Sequence, residues 1–255
     1  MKPPSKIPYL VSSIVCAALV VWSLAGIPVP WERLRFDKLG ATLGRMFFPP
    51  DWSFFSEVSK GLLQSLQIAA LGTAIAALLA LPFGVLAARN LTRSIAPSII
   101  GKFLLNAIRT FPEILLAIAF IGAVGPGPFA GVLAVAIHSI GMVGKLYAER
   151  IETVDKGALE ALAAVGASPV EVFRYGIIPE VLPDFMSFAL YRFDLNVRSA
   201  SVLGLVGAGG IGTLLELRRS QGASAYPQIG MILLGVIATV LLVDFCSAKL
   251  RARLA

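Results

Sequence analysis

The sequence predicts an all-α, polytopic membrane protein with six transmembrane helices: one peripheral N-terminal helix and a five-helix core. Two observations carry this. Apolar residues make up 57% of the 255 residues without counting the 24 glycines, and charged residues only 15%. A soluble domain carries about 25% charged residues, and mean hydropathy here is +0.82. Six apolar windows also approach the roughly 20 residues that cross a hydrocarbon core. Such a composition excludes a soluble enzyme, a disordered chain and a disulfide scaffold.

The spans follow in order. The first runs from Ile7 to Leu24, flanked by Lys2 and Lys6. Ala25 and Gly26 are small, which makes a cleaved signal peptide the rival reading, but Pro28 and Pro30 follow without a tidy A-x-A, so it reads as a retained anchor. The others are Gly61 to Ala88, Ile99 to Val124, Phe129 to Leu146, Leu182 to Val206 and Ile229 to Phe245. The segment between the first two carries Trp31 and Trp52 and reads as partly helical and interfacial. With the N-terminus inside, inner segments hold twelve Lys and Arg and outer ones seven. Both termini are therefore expected on the cytoplasmic side. The expected organisation is 1–56 as anchor and extracytoplasmic segment, 57–248 as the transmembrane domain, and 249–255 as a cytoplasmic tail.

Several chemistries find no support. The net charge of +7 is scattered between apolar runs, so basic cytoplasmic loops explain it and nucleic acid does not. Cys16 and Cys246 fall inside apolar segments with no metal-binding spacing, and His138 reads as a packing or hydrogen-bonding residue. No phosphate loop, HExxH or Ser/His/Asp set is present, so neither catalytic nor metal residues are assigned. Gly207, Gly209 and Gly212 spell GxGxxG, but an apolar membrane helix precedes them and no βαβ unit exists. With Gly210 they read as a flexible glycine break at the outer mouth. Thr213 to Ser220 then reads as a short amphipathic helix.

Polar interruptions of the spans mark where solute could pass. Arg109 and Glu113 are four apart in the third span and are expected on one face, either as a neutralising pair or lining a pathway. In the fifth span Asp194 and Arg198 are four apart and can pair, while Arg192 points elsewhere. The two read either as a structural pair holding two helices together or as facing a pathway, with Arg198 expected to line it.

The connection between the fourth and fifth spans (149–180) is patterned. Helical sequence from Lys156 meets Gly166, a natural residue just past a helix end. Ser168, Pro169 and Glu171 then spell a capping box opening a second short helix that stops before Pro179 and Pro183. A helix–turn–helix hairpin follows, with Val170, Val172, Phe173 and Tyr175 as its apolar end.

Glu160-Ala161-Leu162, Gly166-Ala167-Ser168-Pro169, Phe173 and Ile177-Ile178-Pro179 resemble the EAA loop of type I ABC importer permeases. The 13-residue step from glycine to proline matches the family pattern; Leu162 and Ile178 depart from it. The stretch from Leu190 to Gly204, and Arg109-Thr110-Phe111-Pro112-Glu113, resemble phosphonate permeases, with phosphite, phosphate-ester and methionine importers as relatives. The resemblance implies a homodimer in the bacterial inner membrane that moves phosphonates or related oxyanions. It also implies two ATPase subunits, which hold the ATP and magnesium and dock on Glu160, Ala161, Gly166, Ala167, Ser168, Phe173 and Pro179. An extracytoplasmic binding protein would deliver substrate. A secondary transporter is the alternative; the inverted repeats common in such carriers are absent.

Overall fold

The computed structural model describes residues 7–27, 35–91 and 95–254. The chain forms two compact units, 1–44 and 45–255. In the first, α1 (Ile7–Gly26) is an apolar helix whose described side chains are exposed. Trp31 lies outside the described residues. An amphipathic helix, α2 (Phe36–Phe47), begins in the first unit and buries no residue.

The second unit holds the core. After a short 3-10 turn (Trp52–Phe54) come α3 (Phe55–Ala87), α4 (Ile95–Thr110), α5 (Glu113–Val124) and α6 (Pro128–Glu152). The hairpin helices α7 (Lys156–Ala164) and α8 (Pro169–Glu171) lead into α9 (Ile178–Leu203). Then follow α10 (Ile211–Ser220) and α11 (Tyr226–Arg251). Four of these stretches are long and apolar enough to cross a membrane, and the bent pair α4–α5 makes a fifth.

The central packing is α3 against α6. A Cβ on Gly72 would stand 2.6 Å from Val135 Cγ1, and one on Gly84 2.8 Å from Tyr147 Cβ. Lipid tails are as apolar as leucine, so helices in a membrane gain most from close backbone approach across small residues. Ala69, Ala76 and Ala80 are fully buried along the same stretch of α3. Ile68, Val132, Val135, Val197 and Leu203 form the core between α3, α6 and α9.

Three expectations are corrected here. The third span is two helices, α4 and α5, bent by 83°. Pro112 has no N–H to continue the ladder and pushes Phe111 out of helical conformation, so the helix ends before it. The second hairpin helix does not stop before Pro179: α8 passes through a π-helical turn (Val172–Ile177) directly into α9. The wider turn lets the Ile178 N–H reach the Phe173 carbonyl and places Pro179 in the first turn of α9, where its missing N–H costs nothing. Pro183 is carried inside α9.

The glycine segment is also not a flexible break but a packed turn at the end of the bundle opposite the hairpin. Gly207, Gly209 and Gly210 have φ of 93°, 81° and 78°, where any Cβ is strained. The Gly210 N–H donates to Gln64 Oε1 at 2.7 Å and the Ile211 N–H to Ser65 Oγ at 2.9 Å. Gly207 accepts from the Gly127 N–H at 2.9 Å. A Cβ on Gly212 would run into the Ser201 carbonyl oxygen.

Candidate translocation and coupling sites

Two polar clusters interrupt the apolar core. The first lies where α3, α5, α6 and α9 meet. Asn196 is fully buried and its Nδ2 donates to Thr73 Oγ1 at 2.8 Å and Ser139 Oγ at 3.0 Å. Arg192 is buried beside it, its Nε donating to Ser139 Oγ at 2.9 Å and its Nη1 facing Met142 Sδ at 3.0 Å. Arg192 Nη2 stands 4.0 Å from Glu113 Oε2. Neither Nη2 nor Glu113 Oε1 has a hydrogen-bond partner, so the two charges face each other without a direct bond.

This arrangement corrects the expected Arg109–Glu113 pair. The bend at Pro112 separates them, and Glu113, in the first turn of α5, faces Arg192 instead. Arg109 is exposed and makes no hydrogen bond or ion pair among the described residues. His138 behaves as expected, its Nδ1 donating to the Phe111 carbonyl at 3.2 Å and so tying the bend to α6.

The second cluster joins α9 to α11. Arg198 Nη2 lies 3.5 Å from Asp194 Oδ1, the expected i,i+4 pair, and also hydrogen-bonds Asp244 Oδ1. Sequence reasoning missed Asp244 because it sits 46 residues away on another helix. The Arg198 side chain remains 43% exposed, against 9% for Asp194. A cavity of about 410 Å³ is lined by Pro112, Glu113, Ile114, Arg198, Ser199 and Val202, so Glu113 and Arg198 share one wall.

At the other end stands the hairpin, built as its sequence dictates. Asp155 caps α7 by accepting from the Gly157 N–H at 3.0 Å. Gly166 has φ of 88°, and the full capping box of Ser168 and Glu171 opens α8. The Ser168 hydroxyl and amide, both donating to Glu171, hold that carboxyl below its ordinary pKa. Leu159 and Leu162 pack onto Gly176, where a Cβ would come within 2.9 Å of each, so the departure at Leu162 serves to hold the two arms together. Phe173 is half-buried against the helix ends, while Glu160, Ala161, Ser168 and Pro179 are exposed and Ala167 is half-buried. Val165, Val170 and Tyr175 are 83%, 74% and 64% exposed.

The hairpin is clamped at its base. Arg150 hydrogen-bonds Asp184 and reaches Glu180 Oε1 at 3.3 Å. Tyr147 and Phe185 stack with centroids 3.8 Å apart, and Lys102 pairs with Glu152 at 2.8 Å. None of these four contacts was anticipated. Each joins helices distant in sequence.

Residues 80–252 match the sequence model of the family described as "Binding-protein-dependent transport system inner membrane component". The chain is 42% identical over 211 residues to the phosphite transport system permease protein PtxC of Stutzerimonas stutzeri, covering 83% of this chain and 76% of that protein. It is 44% identical over 120 residues to a relative named for a cryptic phosphonate transport system in Escherichia coli (strain K12), covering 47% of this chain and 96% of that one. Its fold is that of a chain from the inward-facing MetNI methionine ABC transporter, with a TM-score of 0.71 at 20% identity over 80% of this chain and 99% of that one. With the family's sequence model spanning well over half its length, the protein belongs to the inner-membrane components of binding-protein-dependent transport systems, the permease subunits of ABC importers.

Proposed function

We propose that two copies of this chain form the pathway of an ATP-driven importer for phosphonates or closely related oxyanions such as phosphite. The substrate class rests on the 42% identity with the phosphite permease over most of the chain. Arg198 is the side chain that fits it. Its half-exposed guanidinium offers fork-like donors to a tetrahedral oxyanion. Asp194 and Asp244 compete for the same donors, so an anion is held weakly and released. Glu113 shares the cavity wall, and Arg109 adds a cation nearer the hairpin end of the bundle. The glycine turn at 207–212 closes the opposite, outer end.

The hairpin is the docking element for two ATPase subunits, which carry ATP and magnesium. Its exposed Val165, Val170 and Tyr175 form an apolar tip that calls for a protein partner. Glu160, Ala161, Gly166, Ala167, Ser168, Phe173 and Pro179 form and support that surface. Lys145, Arg150, Lys156, Arg174 and Arg251 gather at the hairpin end, which supports a cytoplasmic hairpin and C-terminus, and Lys2 and Lys6 in the sequence support the same side for the N-terminus. Residues 57–248 form the transmembrane domain, 1–56 an anchor and extracytoplasmic segment, and 249–255 a cytoplasmic tail. A binding protein delivers substrate at the glycine-turn end.

The test is uptake in liposomes holding the permease, its ATPase and its binding protein. ATP-dependent uptake of phosphite or methylphosphonate, each competing with the other and neither with methionine, is expected. Arg198→Gln removes a charge-assisted hydrogen bond of about 1.5–3 kcal/mol and lowers uptake about tenfold or more with the complex still assembled. Parental uptake by that variant, or transport of methionine alone, overturns the reading.

A further inference from the structure

Outside the cavity shared by Glu113 and Arg198, α4 and α6 carry a polar stripe. On α4, Lys102, Asn106 and Arg109 recur at i, i+4 and i+7, which places them on one face. On α6, Lys145, Glu149 and Glu152 do the same. The two faces meet: a cavity of about 250 Å³ is lined by Lys102, Asn106, Lys145, Glu149 and Glu152. Arg109 extends the stripe toward the bend, its stem lying over α6 at Gly141, where a Cβ would come within 2.7 Å of Arg109 Cγ. From Lys102 to Arg109 the stripe rises about 10 Å along α4.

Five charges on one partly exposed face of two apolar helices do not face lipid, where the cost of a charge rises with depth. They need water. Their pairing also differs from end to end. Lys102 is fixed to Glu152, which further accepts from the Arg89 N–H at 2.9 Å. Lys145 stands 3.5 Å from Glu149 with both side chains about half exposed, an exchangeable pair. Asn106 is exposed, and Arg109 makes no hydrogen bond or ion pair among the described residues.

We infer that this stripe lines the hairpin-side half of the translocation route and forms a second oxyanion station, with Arg109, Asn106 and Lys145 as its donors. The inference rests on the proposed import of phosphorus oxyanions. An anion leaving the Arg198 cavity meets the unpaired Arg109 first. It then displaces Glu149 from Lys145, and the returning carboxylate expels it toward the hairpin end.

The test uses the full complex in liposomes, with Cys16→Ser and Cys246→Ser and a single new thiol. Asn106→Cys should react with a membrane-impermeant sulfonated thiol reagent presented at the hairpin end, and excess phosphite should slow that reaction several-fold. Phe103→Cys, at a position 69% exposed and one residue from Lys102, should react only with a lipophilic reagent. Labelling of Asn106→Cys by the lipophilic reagent alone overturns the aqueous route. Labelling that phosphite does not slow, or that only anionic lipid slows, overturns the oxyanion station in a complex that still imports phosphite. A parental complex that imports no phosphorus oxyanion, yet labels at Asn106→Cys from the hairpin end, sinks the substrate reading and with it the oxyanion assignment, leaving the aqueous wall supported.

Discussion

At Arg192 and Glu113 the membrane interior holds two opposite charges 4.0 Å apart, each with an orphaned polar atom. Breaking a buried pair costs about 3–5 kcal/mol because the remaining charge is uncompensated, whereas replacing both partners with apolar groups is often neutral. Glu113→Leu should therefore lower the thermal unfolding temperature of the detergent-solubilised complex clearly, and Glu113→Leu with Arg192→Met should recover most of the loss. If the double variant is no more stable than the single one, the two residues do not act as a pair. What the sequence disclosed at this scale was local. Asp194 and Arg198 were readable because i,i+4 spacing puts them on one helix face whatever the tertiary fold. Asp244 and the Arg192–Glu113 pairing were not, since they depend on how helices 46 and 79 positions apart come together.

Among the elements, the hairpin was the most legible. Its capping box, its αL glycine and its Asp155 cap are all side chain–backbone chemistry within a few residues. Nothing lies within 4 Å of a Cβ placed on Gly166, so substitution there acts through the backbone alone. Valine, which tolerates φ of 88° poorly, should cost about 1 kcal/mol or more, and asparagine less. Gly166→Val should reduce co-purification of the ATPase while Gly166→Asn stays near parental, with both at normal membrane levels. Equal co-purification by the two variants would show that the turn geometry does not matter for docking. Glu171's lowered pKa means the cap is fully present at neutral pH and fails only as pH falls through that lowered value. The π-helical turn and the bend at Pro112 were less readable. A proline announces a possible break, but whether the chain bends by 83° or continues through a wide turn is decided by packing against α6 and α7.

For the molecule as a whole, apolar windows fell on α3, α6, α9 and α11, on α4–α5 as a continuous stretch, and on α1, a shorter apolar helix. The tight α3–α6 crossing gives the bundle a fixed frame. A leucine at Gly72 would have to enter space already held by Val135, so Gly72→Leu should abolish folded permease, read as loss of a monodisperse peak in gel filtration. Against that frame, α8, the π-helical turn and α9 form one uninterrupted rod. A 26-residue helix is about 39 Å long. No loop separates the hairpin's second arm from α9, so Arg192, Asp194 and Arg198 ride on the same shaft as the hairpin tip. A tilt of a few degrees at the base swings the far end of such a shaft by a few ångströms, on the order of the spacing that separates a made ion pair from a broken one.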